Sequence, residues 1–268
     1  MYNLSSNIQI MGILNLTPDS FYSEDNLSIV ERLSRLSQAD IIDVGAESSR
    51  PGALPVSSEV EIKRIQEILP ILSQNQIELS IDTYKPKTAL FALKNGFSIV
   101  NDITGGQRTK MLDIVAEQEA KIILMHMQGS PATMQINPSY DNVIDDIMAF
   151  FEERCERATK AGIDSNNIII DPGIGFGKNI ADNDEIINHI STLKSLGFTI
   201  MIGVSRKSFI QYNNDLPSER LPATILVNAL SILNGVDIIR VHDVDEHIKI
   251  RAILSRMHKQ YSDKVYGY

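Results

Sequence analysis

Carboxylate and amide side chains end three short apolar runs of the sequence, and these groups are the first candidates for chemistry. Asp82 ends one run, Asn101 and Asp102 end the next, and Asp171 ends another. A carboxylate accepts two parallel hydrogen bonds from adjacent N–H groups, which suits the edge of an amino-pyrimidinone ring. A lone aspartate such as Asp82 is more often an Asx turn or a helix cap, and Pro86 follows it closely. Several such groups together favour a binding site for a polar ring.

Asp171 also opens a glycine-rich segment that contains Gly173, Gly175, Gly177 and Lys178. Its third glycine comes too early for the Gly-x-Gly-x-x-Gly dinucleotide motif. An asparagine follows the Gly-Lys pair, where a phosphate loop requires Ser or Thr. The segment therefore predicts a turn whose backbone approaches a planar ligand, with the Asp171 carboxylate directed into the site.

Basic residues follow the seventh and eighth apolar runs in a chain that is otherwise acidic. Arg206 and Lys207 come after one run, and Arg240 and His242 end the other. Loops after the last two strands of a parallel barrel commonly form a phosphate site. In the alternative interpretation the arginines form salt bridges with neighbouring acids at the strand ends, and we expect this of at least one of them.

The histidines do not predict a transition-metal site, because no His, Cys and Asp cluster has the necessary spacing. The sequence is compatible with a Mg²⁺ ion that is held mostly by substrate phosphates and water, with one protein oxygen such as that of Asn15. His126 ends the fifth apolar run and is expected to line the core, whereas His189, His247 and His258 are expected on helix surfaces.

Short runs rich in Ile and Val alternate strictly with amphipathic segments along the chain. The predicted strands cover residues 8–16, 40–44, 79–83, 98–103, 122–127, 168–171, 199–204 and 238–242. The predicted helices cover residues 27–37, 59–74, 86–95, 110–118, 141–161, 184–196, 222–234 and 245–258. Residues 15–21 and residues 43–52 open two long irregular stretches after the first two strands, and these stretches are candidate lids.

Eight strand-then-helix units predict an α/β fold, a closed (β/α)8 TIM barrel that forms a single domain over residues 1–268. The alternative is a doubly wound open sheet. The barrel is favoured because polar residues end nearly every strand, whereas an open sheet concentrates them at one switch point.

Composition narrows the possible partners and the compartment. With 43% hydrophobic residues the chain can bury a sizeable core, and a net charge of −9 argues against general binding to nucleic acid. The single cysteine, Cys155, permits no disulfide framework and fits a reducing cytoplasm. No apolar run approaches the roughly 20 residues that span a bilayer, so no membrane association is expected.

Taken together, the motifs resemble those of the dihydropteroate synthase family. Members of this family are folate-pathway enzymes with a pterin-binding barrel. The resemblance covers nearly the whole chain, since several motifs occur in fixed order. They are residues 11–15, 43–52, 80–83, 101–103, 126–129, 171–178, 205–208 and 240–243.

This resemblance implies condensation of 6-hydroxymethyl-7,8-dihydropterin diphosphate with 4-aminobenzoate, by loss of diphosphate before the amine bonds. It also implies Mg²⁺, a homodimer joined through helices near the C-terminus, and inhibition by sulfonamide mimics of aminobenzoate. The implied pterin residues are Asp82, Asn101, Asp171 and Lys207, and the diphosphate residues are Asn15, Arg240 and His242, with Mg²⁺ at Asn15. The implied aminobenzoate residues are Ser49, Arg50, Pro51, Phe176, Lys207 and Ser208. Asp82, Lys207, Arg240 and His242 are the implied catalytic residues.

The chain departs from the family pattern at three places. Ser49 stands where Thr is usual, Ala46 where Gly is usual, and residues 23–26 replace a glycine pair in the first loop. Two other functions are alternatives: a methyltetrahydrofolate–corrinoid methyltransferase, which has no use for a diphosphate site, and a pterin-binding paralogue without turnover. Residues 240–242 together with residues 205–208 argue against the first alternative. The altered first loop favours the second alternative, whereas the joint presence of Asp82, Lys207, Arg240 and His242 argues against it.

Overall fold

The computed structural model describes residues 8–16, 27–48, 54–74, 76–131 and 133–266, with side chains described up to residue 257. Eight parallel strands close into a barrel in chain order, which confirms the predicted architecture and excludes the open sheet. The strands are β1 Gln9–Asn15, β2 Ile41–Gly45, β3 Glu78–Asp82, β4 Ile99–Asp102, β5 Lys121–Met125, β6 Ile168–Asp171, β7 Thr199–Ile202 and β8 Ile238–Val241.

Helices follow each strand, as the alternating pattern predicts. Within the described ranges they are α1 Ile29–Arg35, α2 Ser58–Leu72, α3 Pro86–Leu93, α4 Thr109–Glu117, α5 Val143–Lys160, α6 Ile180–Asn188, α7 Ile190–Lys194, α8 Leu221–Leu233 and α9 Val244–Tyr266. In this described part, no helix is both long and apolar enough to cross a membrane.

The strands bury both of their faces, which explains their nearly continuous apolarity. One face packs against the helices in a large core that includes Phe151 and the free Cys155. The other face fills the barrel with a small apolar floor to which most strands contribute one residue. The floor consists of Met11, Ile41, Ile99, Ile123, Ile169, Met201 and Ile238.

Two predictions about the helices are wrong. The helix expected over residues 184–196 is two helices, because the chain turns at His189, where φ is −110° and ψ is 20°. The turn keeps Ile190 and Leu193 buried against the barrel. His247, expected on a helix surface, is fully buried. Its ring bonds the Asp243 carbonyl and the Asn228 side chain, so two tertiary contacts satisfy its polarity.

Candidate active site

Polar side chains form the layer directly above the apolar floor of the barrel. Successive residues of a strand point to opposite faces, so a residue two positions after a floor residue points inward again, one layer nearer the carboxyl ends. Parallel registry pairs Asp82 with Asn101, whereas Asp43 is paired with Ser80, two positions before Asp82 on β3. The resulting inward layer contains Asp43 on β2, Asp82 on β3, Asn101 on β4, Asp171 on β6 and Arg240 on β8.

Arg240 bridges two carboxylates in this layer. Its Nε donates to Oδ2 of Asp43 at 2.6 Å, and its Nη2 donates to Oδ2 of Asp82 at 2.8 Å. Nδ2 of Asn101 donates to the same Asp43 oxygen at 3.0 Å. Asp43 is fully buried, and its second oxygen has no partner among the described residues. The four side chains form one connected acidic cluster with a net charge of −1 when both carboxylates are ionised.

The charges in this cluster shift its acid–base equilibria. Burial raises the pKa of Asp82 to about 7; the positive charge of Arg240 opposes this rise, and the negative charge of Asp43 adds to it. Burial alone would lower the pKa of Arg240, but Asp43 and Asp82 outweigh it and raise that pKa. Arg240 therefore stays cationic while Asp82 can titrate near neutral pH, as is common for groups in active sites.

A second acid and base face each other at the glycine-rich turn. Oδ1 of Asp171 accepts a hydrogen bond from the backbone N–H of Gly173 at 2.8 Å. Burial raises the pKa of Asp171, and the charge of Lys207 opposes the rise. Burial lowers the pKa of Lys207 to about 8, against the attraction of Asp171. Nζ of Lys207 donates to the Ile174 carbonyl and lies 4.5 Å from the centre of the Phe176 ring.

Glycines let the turn lie directly on the backbone that follows β5. Gly173 has a φ of 67°, and a Cβ there would lie 1.9 Å from the carbonyl oxygen of His126. Gly177 has a φ of 64°, and a Cβ there would lie 2.5 Å from the carbonyl oxygen of Gln128. Any side chain at either position would meet backbone rather than a flexible group, so this close approach requires glycine.

The loops after β7 and β8 are tied together by side chains. The Arg206 guanidinium makes two bonds to the Asp243 carboxylate, through Nε at 3.0 Å and through Nη2. Oγ of Ser205 lies 2.9 Å from Nδ1 of His242 and accepts the His242 backbone N–H at 3.2 Å. The prediction that at least one arginine here forms a salt bridge is confirmed, because Arg206 and Arg240 both do.

Asn15 ends β1 beside the acidic cluster. Its Oδ1 lies 3.1 Å from the position that a Cβ on Gly45 would occupy, and Oδ2 of Asp82 lies 3.7 Å from the same point. Because Gly45 has no side chain, both oxygen atoms can lie close to its Cα at the strand ends. In the described part of the chain, no group of three or more His, Cys, Asp or Glu residues is arranged to hold a metal.

A pocket of about 220 Å³ opens beside Asp82, between the ends of β2 and β3 and the loop after β5. Glu47 and Glu61 line it. The Lys85 ammonium bridges these two acids, and the Tyr84 hydroxyl donates to Glu47 at 2.8 Å. Asp82 does not cap α3, because Lys85 occupies that N-cap position and makes no side-chain capping bond.

The structure brings most of the predicted residues to the carboxyl ends of the strands. The charged residues Asp82, Asp171, Lys207 and Arg240 share one end of the barrel with the amide of Asn101, and Asn15, His242, Phe176 and Ser208 lie at the same end. Ser49, Arg50 and Pro51 lie outside the described residues, as do residues 17–26 of the first loop.

Sequence reasoning missed Asp43 and Lys178 as members of this site. Asp43 was interpreted only as the start of a loop, although it stands two positions after the floor residue Ile41, which was the available signal. Lys178 was considered only as a phosphate-loop lysine and set aside. Its buried contacts depend on the folding of the preceding turn, which no local pattern specifies.

Comparison with known proteins decides the family. The family model described as pterin binding enzyme matches residues 11–242. Dihydropteroate synthase of Escherichia coli strain K12 is 37% identical over 257 residues, which cover 93% of this chain and 91% of that protein. The chain belongs to the dihydropteroate synthase family. It is accordingly a transferase of that kind.

Solved structures of the family share the barrel closely. The Yersinia pestis dihydropteroate synthase, in a sulfonamide drug complex, superposes with a TM-score of 0.89 at 36% identity and covers 95% of both chains. The Xanthomonas albilineans dihydropteroate synthase with 4-aminobenzoic acid gives a TM-score of 0.87 at 35% identity, covering 94% of this chain and 93% of that one. The family resemblance therefore extends to nearly the whole fold.

Proposed function

We propose that this enzyme condenses 6-hydroxymethyl-7,8-dihydropterin diphosphate with 4-aminobenzoate to give 7,8-dihydropteroate and diphosphate. One observation carries the proposal: two carboxylates, the mostly buried Asp82 and the buried Asp171, stand three strands apart at the barrel mouth, each next to a cation. Asp82 bonds Arg240, and Asp171 faces Lys207. The Asp171 carboxylate suits recognition of the pterin ring, and the Asp82 carboxylate suits stabilisation of positive charge.

Pterin recognition rests on Asp171, Asn101 and Lys207 in this proposal. One oxygen of Asp171 accepts a hydrogen bond from the Gly173 N–H, which holds the carboxylate in place. The carboxylate can then accept hydrogen bonds from the N–H groups of the amino-pyrimidinone edge. Asn101 offers its amide oxygen and its second N–H to the remaining ring atoms. The Lys207 ammonium, fixed by the Ile174 carbonyl, supplies a donor to ring acceptors.

Bond cleavage comes first in the proposed mechanism. The methylene C–O bond breaks, both electrons leave with the diphosphate, and positive charge spreads from the methylene into the pterin ring. The ionised Asp82 carboxylate stabilises this charge, because a buried carboxylate acts strongly where water is excluded. The aniline nitrogen then forms the new C–N bond with its lone pair and releases its proton to solvent, without needing a strong base.

Arg240 and His242 would neutralise the leaving group. Arg240 keeps its positive charge between Asp43 and Asp82 and has further N–H donors for phosphate oxygens. Ser205 Oγ accepts the His242 backbone N–H and makes a hydrogen bond with Nδ1 of the same residue. These two contacts orient the ring for the proposed contact between His242 and the phosphate oxygens.

Magnesium fits the donor set at the end of β1. The Asn15 amide oxygen, which lies beside Gly45 as the Asp82 carboxylate does, is a hard oxygen ligand of the kind that Mg²⁺ prefers, with diphosphate and water supplying the rest. When bound, the ion would neutralise charge on the departing diphosphate. Asn15 would hold it beside Arg240.

Aminobenzoate would bind between Phe176, Lys207 and Ser208. The Lys207 ammonium lies over the Phe176 ring, and Ser208 begins the short 3-10 turn that follows. Ser49, Arg50 and Pro51 complete this subsite in the proposal. The X. albilineans relative was solved with 4-aminobenzoic acid, and the Y. pestis relative with a sulfonamide drug. We therefore expect sulfonamides to compete with aminobenzoate here.

The deciding experiment mixes both substrates with Mg²⁺ and measures diphosphate release and dihydropteroate formation. Stoichiometric appearance of both products supports the synthase. Pterin binding without diphosphate release would instead indicate a paralogue without turnover, and the proposal would fail. Omitting 4-aminobenzoate is the control, because it separates product formation from slow hydrolysis of the pterin substrate.

A second experiment tests the division of labour between the carboxylates. Asp82→Asn should mainly lower kcat, by roughly 100-fold or more, because charge stabilisation is lost in the transition state. Asp171→Asn should mainly weaken pterin binding. Equal losses of rate and affinity in both variants, measured by steady-state kinetics and pterin titration, would contradict these separate roles.

A homodimer is the proposed assembly. Exposed apolar side chains lie on two helices that pack together, with Leu226 and Leu230 on α8 and Ile253 and Met257 on α9. Burying such side chains against a second copy would remove apolar surface from water. Light scattering after size exclusion should show a dimer for the wild type and a monomer for Leu226→Glu/Leu230→Glu.

A further inference from the structure

Side chains hold the backbone carbonyls of the glycine-rich turn. Every carbonyl oxygen from residue 173 to residue 177 receives a hydrogen bond from a side chain. The donors are Lys178 to Gly173 and Phe176, Lys207 to Ile174, Gln135 to Gly175, and Tyr140 to Gly177. Individual side-chain hydrogen bonds thus hold a turn that has no regular secondary structure. Lys178 donates more of these hydrogen bonds than any other of these side chains.

Lys178 makes its contacts from a buried position, with only 3% of the residue exposed. Its Nζ lies 3.1 Å from the Gly173 carbonyl, 3.1 Å from the Phe176 carbonyl and 2.9 Å from Nδ1 of His126. None of the described carboxylates forms an ion pair with it. A buried ammonium without a paired carboxylate is costly unless carbonyl dipoles satisfy it, and here the turn supplies them.

The protonation of His126 suits this arrangement. Burial, together with the nearby charge of Lys178, lowers the pKa of His126 to about 3, so the ring is neutral and Nδ1 can accept. Burial lowers the pKa of Lys178 to about 7, while Asp171 and Asp182 raise it and Lys207 lowers it. Lys178 carries N–H donors in both of its protonation states, so it donates to the neutral ring, and His126 anchors it to the end of β5.

We propose that Lys178 is a positioning residue for the pterin: its ammonium holds the turn in the conformation that presents Asp171 to the pterin. This inference rests on the proposed function of Asp171 in pterin recognition. The Gly173 N–H bonds Asp171, and the Lys178 ammonium fixes the Gly173 carbonyl, so the two contacts act on one residue. The Phe176 carbonyl is fixed in the same way.

The turn also lies between two ammonium groups with different tasks. Lys207 contacts the Ile174 carbonyl and the Phe176 ring at the barrel mouth, whereas Lys178 contacts the turn from its buried side. Without the Lys178 contacts, Ile174 and Phe176 could move. Lys207 would then lose the carbonyl and the ring that it contacts. Lys178 thus acts on the substrate through other residues and does not touch it.

The test compares Lys178→Met with Tyr140→Phe, a matched control that removes one donor to the same turn at Gly177, away from Asp171. Binding of 6-hydroxymethylpterin is measured by calorimetry, kcat and KM are measured with both substrates and Mg²⁺, and unfolding is followed by circular dichroism. For Lys178→Met we expect pterin Kd and pterin KM to rise at least tenfold, with kcat at saturation within about threefold of wild type. Tyr140→Phe should change Kd less than threefold.

A purely structural lysine would lower the unfolding temperature and leave the pterin Kd of the folded protein unchanged, which would overturn the proposal. If Lys178→Met does not fold, His126→Phe provides the second test. It removes the Nδ1 acceptor, keeps an aromatic ring beside Phe150 and Tyr140, and should weaken pterin binding at least threefold. Unchanged binding in His126→Phe would also overturn the proposal. If the wild type itself binds no pterin, the proposed function fails, a result distinct from equal binding by wild type and variants.

Discussion

Replacing Asp82 by asparagine should make the protein more stable at neutral and alkaline pH while it lowers kcat. The Asp82 carboxylate shares Arg240 with the buried Asp43, and burial raises the Asp82 pKa from 3.8 to about 7. The folded state therefore holds the Asp82 proton more tightly than the unfolded state does. The stabilisation that protonated Asp82 contributes is complete below its unfolded-state pKa of about 4. This stabilisation is lost as the pH rises through the folded-state pKa of about 7.

The size of the effect follows from this pKa change. A rise of the Asp82 pKa from 3.8 to about 7 changes the free energy of unfolding by about 4 kcal/mol across the pH range between the two pKa values, at about 1.4 kcal/mol per pKa unit. Between pH 5 and pH 8 the expected loss is roughly 3 kcal/mol, because part of the titration lies below pH 5. The Asp82→Asn variant avoids this loss, since the amide is neutral and its oxygen still accepts from Arg240.

Urea denaturation of the wild type and Asp82→Asn at pH 5 and pH 8 measures the difference directly. The variant should gain roughly 3 kcal/mol relative to the wild type between these two pH values. Asp113→Asn, at an exposed carboxylate on α4, is the control and should follow the wild type. Parallel pH profiles for the wild type and Asp82→Asn would refute the reasoning, because they would show that Asp82 has the same pKa in both states.

Three further changes test the support around the site. Ser205→Ala removes the bonds to His242 and should lower kcat/KM for the pterin diphosphate roughly tenfold, at about 1–2 kcal/mol, without changing calorimetric binding of 6-hydroxymethylpterin. His247→Phe leaves the Asp243 carbonyl and the Asn228 amide buried without their partner and should destabilise the protein by about 2–4 kcal/mol in urea. The exposed His189→Ala should cost less than about 1 kcal/mol in the same assay, and equal losses would contradict the buried bonds. Removing divalent cations with EDTA should abolish diphosphate release, and added Mg²⁺ should restore it; full activity in EDTA would exclude the metal.

Local pattern was enough to predict the order of strands and helices and the end of the barrel that carries the site. Continuous Ile and Val runs mark strands buried on both faces, and a polar residue at nearly every strand end marks the mouth. Local pattern did not predict every element boundary, as the division of residues 184–196 into α6 and α7 shows. That break depends on the packing of Ile190 and Leu193 against the barrel, which the helical periodicity alone does not encode.

The chemical identity of the site residues was determined by the sequence, since carboxylates, an amide and basic residues at eight strand ends restrict the ligand class. Only the tertiary structure decided which of them share a hydrogen bond. Oδ2 of Asp43 joins Asn101, 58 positions away, to Arg240, 197 positions away, and closure of β8 onto β1 creates that contact. The burial of His247 and Lys178 was decided in the same way, because it depends on neighbouring elements and not on local sequence.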